Sequence, residues 1–579
     1  MRYEWVVATL AVVGTLMLTT FPLAGFFVSP ESWVIGDRAL ETIDHLWTLW
    51  LASAAPYSSG VLVIETQMVH FNEGYQWVLA DPINLLWFAP ATWMAGPATG
   101  YNTVLVCNLL LAGAAAALLT RRLFPAAPPW VAACSVIATP ALAAGLFTGM
   151  TETMTTGWAG LAVAAFTHLG SGTRKAAASG LLLGACAWAG PYTALYATVA
   201  VVPLVVFHLI RHPKRWADAV CALLVASMVA APVLWAVLTQ RPDDLPGSVS
   251  ILNQVLENPH RPENQMLGAD LLGLFWPINA AGGAELHAVY LGAAFTLLAC
   301  CGWFGGRQSQ SEWQRPLMCS GGLLLVMALG YFLQFNGDPV TIAGRTILLP
   351  AAWISMMIDA VGRAPRWYRA VGLSCILLAP FVANGVHLIA QRILPKYSSW
   401  VSLAITAVVV SDTIWLAPLQ WPRDAFPAEA PPGYEQLDTS GAILEVPSVR
   451  LTMQVKGRTV VQSGGGARMP NGPMRHAALL WQTSHERPLG GNPHHAERRR
   501  TDIKASLLAD EIMTAAHKNK PERLPRIFAK LQKQGFSYVV HHPSDLRQNE
   551  TQSLRTALGP PTIDTPEVLA WSLSPVTEN

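Results

Sequence analysis

Long apolar runs dominate this sequence and leave it few ways to fold. A run of about 18 residues or more with almost no charge crosses a hydrocarbon core as a helix. The first lies at residues 5–27, around VVATLAVVGTLMLTTFPLAGFF. It exceeds the ~7–15 residues of a signal-peptide core, and no clear small-x-small cleavage site follows. The reading is a retained first span. Eleven further spans are predicted near residues 100–120, 129–147, 153–170, 177–190, 193–210, 217–239, 286–305, 316–334, 342–360, 370–390 and 399–417.

Charge separates the chain into two materials. Residues 1–420 carry 39 acidic or basic side chains, about 9%, whereas residues 421–579 carry 35, about 22%. Only the second value approaches the ~25% of a soluble protein. The expected architecture is an all-α polytopic membrane domain over 1–420, of about 12–13 transmembrane helices, followed by a small soluble α+β domain over 421–579. A soluble enzyme, a disordered scaffold and a disulfide-stapled secreted domain are excluded. The net charge of +2 is spread through both parts, and no basic cluster is dense enough for nucleic acid. All eight cysteines fall in apolar stretches without CxxC or Cys/His metal spacing, so they read as small apolar residues.

The few charges of the first part are sorted. With the N-terminus inside, Arg2, Arg121, Arg122, Arg174, Lys175, Arg211, Lys214, Arg215, Arg307, Arg315, Arg363, Arg366 and Arg369 fall on the cytoplasmic side, as the positive-inside tendency requires. Most acids fall opposite, in residues 31–81, at Glu152, in 243–285 and at Asp338. Parity conflicts near the end. Twelve spans return the tail to the cytoplasm and thirteen leave it outside. Segments 361–369 and 391–398 are both basic and both claim the inside. One late span is therefore miscounted or re-entrant.

Two long outer loops, 28–98 and 240–285, exceed ordinary connections and point to function. The first holds Trp33, Trp47, Trp50, Trp77, Trp87 and Trp93. Aromatic side chains favour the membrane interface, so helices lying along the outer leaflet are expected. Its informative segment is WVIGDRALETIDHLWTLW, residues 33–50. A helix opened by Asp37 puts Asp37, Glu41 and Asp44 on one face at i, i+4 and i+7, with His45 adjoining. Such a helix is either a solvated amphipathic surface element or a carboxylate site. A carboxylate held near lipid can have a raised pKa and act as a base.

These residues belong to a longer series. Gly36–Asp37 and His45–Leu46–Trp47…Trp50 are followed by ADPINLLWFAP at 80–90, GYNTVLVCNLLLAGAAAALLTRRLF at 100–124 and TGMTETMTTGWAGLAV at 148–163. The order resembles the bacterial multi-span proteins of the GT-C glycosyltransferase superfamily, over residues 1–210 and more weakly through 345 and in the tail. The resemblance implies a polyprenyl-phosphate-linked sugar donor taken from the membrane and a catalytic carboxylate in the first outer loop. Asp37 matches that acidic position best, with Asp44 second. Many members carry paired acids, whereas Arg38 follows Asp37 here. The implied chemistry is removal of the acceptor hydroxyl proton as the lipid phosphate leaves.

His45, Glu152, Tyr192 and Arg345 are the candidate substrate contacts. Glu152 is the one acid between residues 82 and 217, and a charge at a span boundary needs water or a partner. Asp81 precedes Pro82 and reads equally as a turn or cap residue. Tyr192 reads as a cavity hydrogen-bonder or as aromatic packing. Arg345, in NGDPVTIAGRTILLP, sits at the outer start of a predicted span. Its forked donors suit a phosphate, where the resemblance places a basic contact, or it snorkels to headgroups.

In the tail, GAILEVPSVRL and FSYVVHH read as strands, and TDIKASLLADEIMTAAHKNKPERLPRIFAKLQKQG as one or two helices. SGGGARMPNGP is a turn-rich loop without phosphate-loop spacing. His476, His485, His494, His495, His541 and His542 lack metal-site spacing. No cofactor is assigned, and carboxylates leave room for a divalent cation. The function expected is transfer of a sugar from a polyprenyl-phosphate donor to a glycan, lipid or protein acceptor at the outer face of the cytoplasmic membrane. The alternatives are a transporter or flippase of lipid-linked saccharide, or an inactive membrane scaffold. A transporter tends to carry internal repeats, and none is evident. The resemblance places the protein in the bacterial inner membrane, with the N-terminus cytoplasmic and the C-terminal domain outside.

Overall fold

The computed structural model describes residues 2–21, 32–38, 40–69, 75–239, 248–265, 267–277, 289–305, 311–358, 361, 366–417, 419, 421–437, 441–446, 452–455, 458–461, 468–469, 472–473, 477–490, 508–509, 511–512, 514–516, 518, 520–543, 548–566 and 568–573. Arg307, Arg363, the triple glycine 464–466, His476, His494 and His495 lie outside the described residues. Two compact units divide the chain. The first comprises residues 1–23, 80–84 and 102–424; the second comprises 24–79, 85–101 and 425–579. Chain proximity alone does not draw this line, because most of the first long loop falls in one unit with the tail.

The first unit is helical. Its elements are α1 (Arg2–Thr20), the second part of α3 (Leu85–Leu123), α4 (Pro129–Ile137), α5 (Pro140–Thr148), α6 (Thr151–Met154), α7 (Thr156–Phe166), α8 (Thr173–Ala189), α9 (Pro191–Arg211) and α10 (Trp216–Thr239). Then come α11 (Ser248–Glu257), α12 (Pro262–Gln265), α13 (Ala293–Gly305), α14 (Gln314–Ala328), α15 (Pro350–Met357), α16 (Ala370–Ile393) and α17 (Ser398–Trp415). Short strands β5 (Gln334–Phe335) and β6 (Asp338–Pro339) pair, as do β7 (Thr341–Ile342) and β8 (Arg345–Thr346). Prolines set the breaks. Pro129, Pro140 and Pro191 open helices at the first position, where their missing N–H costs nothing. Among the described residues five helices are long and apolar enough to cross a membrane, or six if the bent α4–α5 pair is one span. The other apolar helices are shorter.

Small residues let these helices approach closely, as they must where lipid supplies no hydrophobic drive between them. Gly180 and Gly184 of α8, a G-x-x-x-G pair, lie against Ala222, Ala226 and Val229 of α10. Gly302 of α13 meets the Phe381 carbonyl of α16, and Gly385 meets the Leu298 carbonyl. Asn384 donates to the Gly302 carbonyl at 2.9 Å, and Ser374 to the Gly321 carbonyl at 2.9 Å. A Cβ at position 302 would strike main chain rather than a movable side chain. Gly302→Val should therefore cost about 1–3 kcal/mol or more by overpacking, seen as a lowered melting temperature in detergent. Gly322, with open space around its Cα, should tolerate Ala without such a loss.

The predicted span at 342–360 is not a continuous helix. Its start forms the β7–β8 hairpin, turned at Ala343 and Gly344 with φ of 50° and 75°. The helix that follows, α15, has eight residues, about 12 Å against a ~30 Å core. Apolar composition concealed the turn. Parity changes with it: Thr156 faces Gly372 and Gly160 faces Ile376, so α7 and α16 run parallel. A crossing at 342–360 would have made them antiparallel. The last residues of this unit return to the end where α1 finishes. Trp421 donates to the Leu18 carbonyl at 2.8 Å, and Arg423 bonds the Phe21 carbonyl at 2.7 Å and the Thr19 carbonyl at 3.1 Å. Burial pulls the Arg423 guanidinium down to about 10.

The second unit is α+β. It contains β1 (Trp33–Ile35), α2 (Thr42–Ser53), β2 (Ser58–Ser59), β3 (Val63–Thr66), β4 (Tyr75–Val78) and the first part of α3, which breaks at Ala95–Gly96. From the tail come β9 (Ala425–Pro427), β10 (Ala442–Val446), β11 (Thr452–Val455), β12 (Arg458–Val461), β13 (Arg468–Met469), β14 (Gly472–Pro473), α18 (Ala477–His485), α19 (Leu524–Lys533), β15 (Phe536–His541), α20 (Gln548–Leu558), β16 (Ile563–Asp564) and β17 (Leu569–Ser572). One four-stranded sheet has the order β10-β15-β17-β16, parallel between β10 and β15 and antiparallel elsewhere. On α19, Leu524, Ile527, Phe528 and Leu531 recur at helical spacing and are buried in the sheet's core with Leu444, Val539 and Trp571. From the first loop, β1 pairs with β9, Trp33 opposite Pro427. Trp47 and Trp50 are core residues, 0% and 2% exposed, not members of an interfacial belt. Trp93 is 72% exposed.

At the end of α18, His485 stacks on Tyr434 with ring centroids 5.3 Å apart. Tyr434 donates to Glu445 at 2.7 Å, and His542 approaches the other Glu445 oxygen at 2.7 Å. Burial pushes the Tyr434 hydroxyl well above its usual range. Burial pushes the His485 imidazole down to about 4, with Glu445 opposing the shift and Arg487 adding to it. The folded state thus holds His485 neutral while the unfolded chain protonates it near 6.5. Stability is full above ~6.5 and is lost as pH falls toward about 4, by about 3 kcal/mol. Melts at pH 7 and pH 5 should show this slope, and His485→Phe should flatten it.

Candidate functional site

The acid-bearing segment of the second unit starts at Gly36, whose φ of 132° suits glycine. Asp37 follows in a turn, not in a helix. Its carbonyl accepts the Leu40 N–H at 3.2 Å and the Thr42 hydroxyl at 3.0 Å. Helix α2 begins at Thr42, with Glu41 as its cap residue. The expected single face of Asp37, Glu41 and Asp44 is therefore corrected: only Asp44 is on the helix, in its first turn. The residues before Thr42 close a hydrogen-bonded turn of their own, so the helix starts five residues late. Asp44 is 1% exposed, where the positive end of the helix dipole favours an anion. Asp37 is half-buried. His45 lies one turn from Glu41, 3.9 Å from its carboxylate.

In the first unit, Glu152 sits on the single-turn helix α6, paired with Arg369 at 2.5 Å. The Arg369 guanidinium lies 4.8 Å from the Tyr192 ring centroid and contacts the Met150 sulfur at 3.1 Å. Arg366 approaches the same sulfur at 3.9 Å, and its carbonyl accepts the Tyr196 hydroxyl at 2.6 Å. Glu152 and Tyr192, nominated separately from sequence, thus belong to one group. The same ion pair corrects the sorting of charges, because Arg366 and Arg369 lie at the Glu152 end and not at the opposite one. They were misplaced by the span wrongly inserted at 342–360. The missed signal was Glu152 itself, an isolated acid that required a nearby cation.

A buried polar network holds α6 in place. Asp81 accepts the Thr151 hydroxyl at 2.5 Å and the Asn84 amide at 2.8 Å, and Asn84 accepts the Asn108 amide at 2.9 Å. Asp81 is therefore a structural acceptor that fixes the residue next to Glu152. Thr155 and Thr193 join α6–α7 to α9 at 2.7 Å. Arg345 stands apart on the exposed β7–β8 hairpin and does not enter the Glu152 group. Among the described residues no group of three His, Cys, Asp or Glu side chains converges for a metal ion.

Among solved structures, ArnT from Cupriavidus metallidurans bound to undecaprenyl phosphate matches along 100% of this chain and 99% of that one, at 12% identity and a TM-score of 0.50. The chain shares the fold of that ArnT. The apo state of the same ArnT matches at 13% identity over 99% of this chain and 98% of that one, with a TM-score of 0.47. The Archaeoglobus fulgidus oligosaccharyltransferase, complexed with zinc and sulfate, matches at 11% identity over 93% and 68%, with a TM-score of 0.40. No family model matches the chain, and no curated protein matches its sequence. At 12% identity the likeness to that ArnT speaks of architecture, and the chemistry rests on the residues.

Proposed function

We propose that this chain is a membrane glycosyltransferase that moves a sugar from a polyprenyl-phosphate donor to an acceptor at the outer face of the cytoplasmic membrane. The observation that carries the reading is the Asp37 turn. A GT-C fold presents, just after its first helix, a half-buried carboxylate whose backbone is pinned by two hydrogen bonds. As general base, Asp37 takes the proton of the acceptor hydroxyl as that oxygen attacks the anomeric carbon. The bond from the anomeric carbon to the phosphate oxygen breaks, and polyprenyl phosphate leaves with the electron pair. A single displacement of this kind inverts the anomeric centre. Asp44, nearly fully buried, supports α2 and is the second candidate.

Arg366 and Arg369 are proposed to meet the lipid phosphate, since planar guanidinium groups match phosphate oxygens. Glu152 and Tyr192 would hold Arg369 in place, and His45 and Arg345 remain candidate substrate contacts of lesser support. The test is incubation of the purified chain, in proteoliposomes, with a polyprenyl-phosphate sugar and a mixture of glycan, lipid and peptide acceptors. Transfer predicts release of polyprenyl phosphate and a glycosylated acceptor. Transbilayer movement of an intact donor would instead favour a flippase.

A further inference from the structure

This inference rests on reading the Asp37–Asp44 segment as catalytic. We propose that Gln482, in the C-terminal part of the chain, is a positioning residue for that segment. It is fully buried on α18. Its amide oxygen accepts the Trp47 indole N–H at 2.8 Å. Its amide nitrogen donates to the Met68 carbonyl at 2.6 Å and to the Arg487 carbonyl at 2.9 Å. An indole can only donate and a carbonyl can only accept, so the partners fix which way the amide faces. Both donor hydrogens are used.

Trp47 lies three residues beyond Asp44 on α2, one turn along the same face. Upstream, Thr42 closes onto the Asp37 carbonyl. A continuous series therefore runs from Gln482 through Trp47 and α2 to the Asp37 turn. A second bond, from the Leu489 N–H to the Met68 carbonyl at 2.8 Å, holds the chain past β3 to the same region. Packing alone would be met by an apolar side chain of similar volume. A buried amide adds direction, which fixes the rotation of α2 about its axis and so the aim of Asp44 and the seat of Thr42 against the Asp37 carbonyl. The soluble tail would thereby complete the acid segment of the first loop.

The test uses the full-length chain with Gln482→Leu, Trp47→Phe and the double variant. Donor kinetics and hydrogen exchange of residues 42–53 are measured on each. Misplacement of a reacting group by about 1 Å can cost ~100-fold in rate. Each single variant should therefore lower kcat about 10-fold or more with donor KM unchanged, and exchange over 42–53 should quicken while β15 and β17 stay protected. The double variant should be no worse than the poorer single one, the mark of a shared interaction. Trp47→Phe keeps the aromatic packing if Gln482→Leu fails to fold. Faster exchange with unchanged kcat, or losses that multiply in the double variant, would overturn the positioning role and leave the transferase reading intact. Inertness of the unaltered chain toward the donor would overturn the transferase reading, while the exchange coupling between Gln482 and Trp47 would still be seen.

Discussion

Replacing Glu152 by Leu should destabilise the helical unit by about 3–5 kcal/mol, because it leaves the Arg369 guanidinium buried without its counter-charge. Arg369 is 4% exposed and Glu152 17% in their side chains. Water therefore offers the cation little relief. Arg369→Met should cost less, since the wetter carboxylate can take up a proton and shed its charge. The double variant Glu152→Leu/Arg369→Met should recover most of the loss, as replacement of buried ion pairs by apolar residues often does. Melting of the four proteins in one detergent closes the cycle. If the pair also serves the lipid phosphate, the double variant will fold yet show a donor KM raised at least tenfold.

The two candidate bases should separate cleanly. Asp37→Asn keeps a residue suited to a turn, so stability should change by less than about 1 kcal/mol, while kcat falls by about 10²–10⁴-fold, the usual worth of a general base. Asp44→Asn should behave in reverse. It removes a nearly buried anion from the first turn of α2 and should cost about 1–2 kcal/mol of stability, with the smaller effect on turnover. Equal kinetic losses without any stability difference would refute this division of roles.

Periodicity and composition exposed the membrane helices, the tail strands β10 and β15 and the amphipathic α19, because each rests on a local pattern of apolar residues. Two of the failures had one physical form: a partner distant in sequence. Nothing near Trp47 announces Gln482, 435 residues away, so an indole buried in a domain core read as an interfacial one. Nothing near Arg369 announces Glu152, so Arg366 and Arg369 were sorted by a rule about loops. The β7–β8 hairpin was missed for a different reason: its strands are two residues each, too short to impose a period, and Ile342, Ile347 and Leu348 lend it the composition of a helix. Asp81 was legible in part. The Asp-Pro step marked a turn, but its bond to Thr151 required the fold.

The most direct measurement is the rate at which polyprenyl phosphate is released from a bound polyprenyl-phosphate sugar in a single turnover, for the unaltered chain and for Asp37→Asn. Release by the unaltered chain, slowed at least 100-fold in Asp37→Asn with donor binding preserved, is the predicted result. Equal release by both proteins, or none from a chain that binds donor and acceptor, would contradict it.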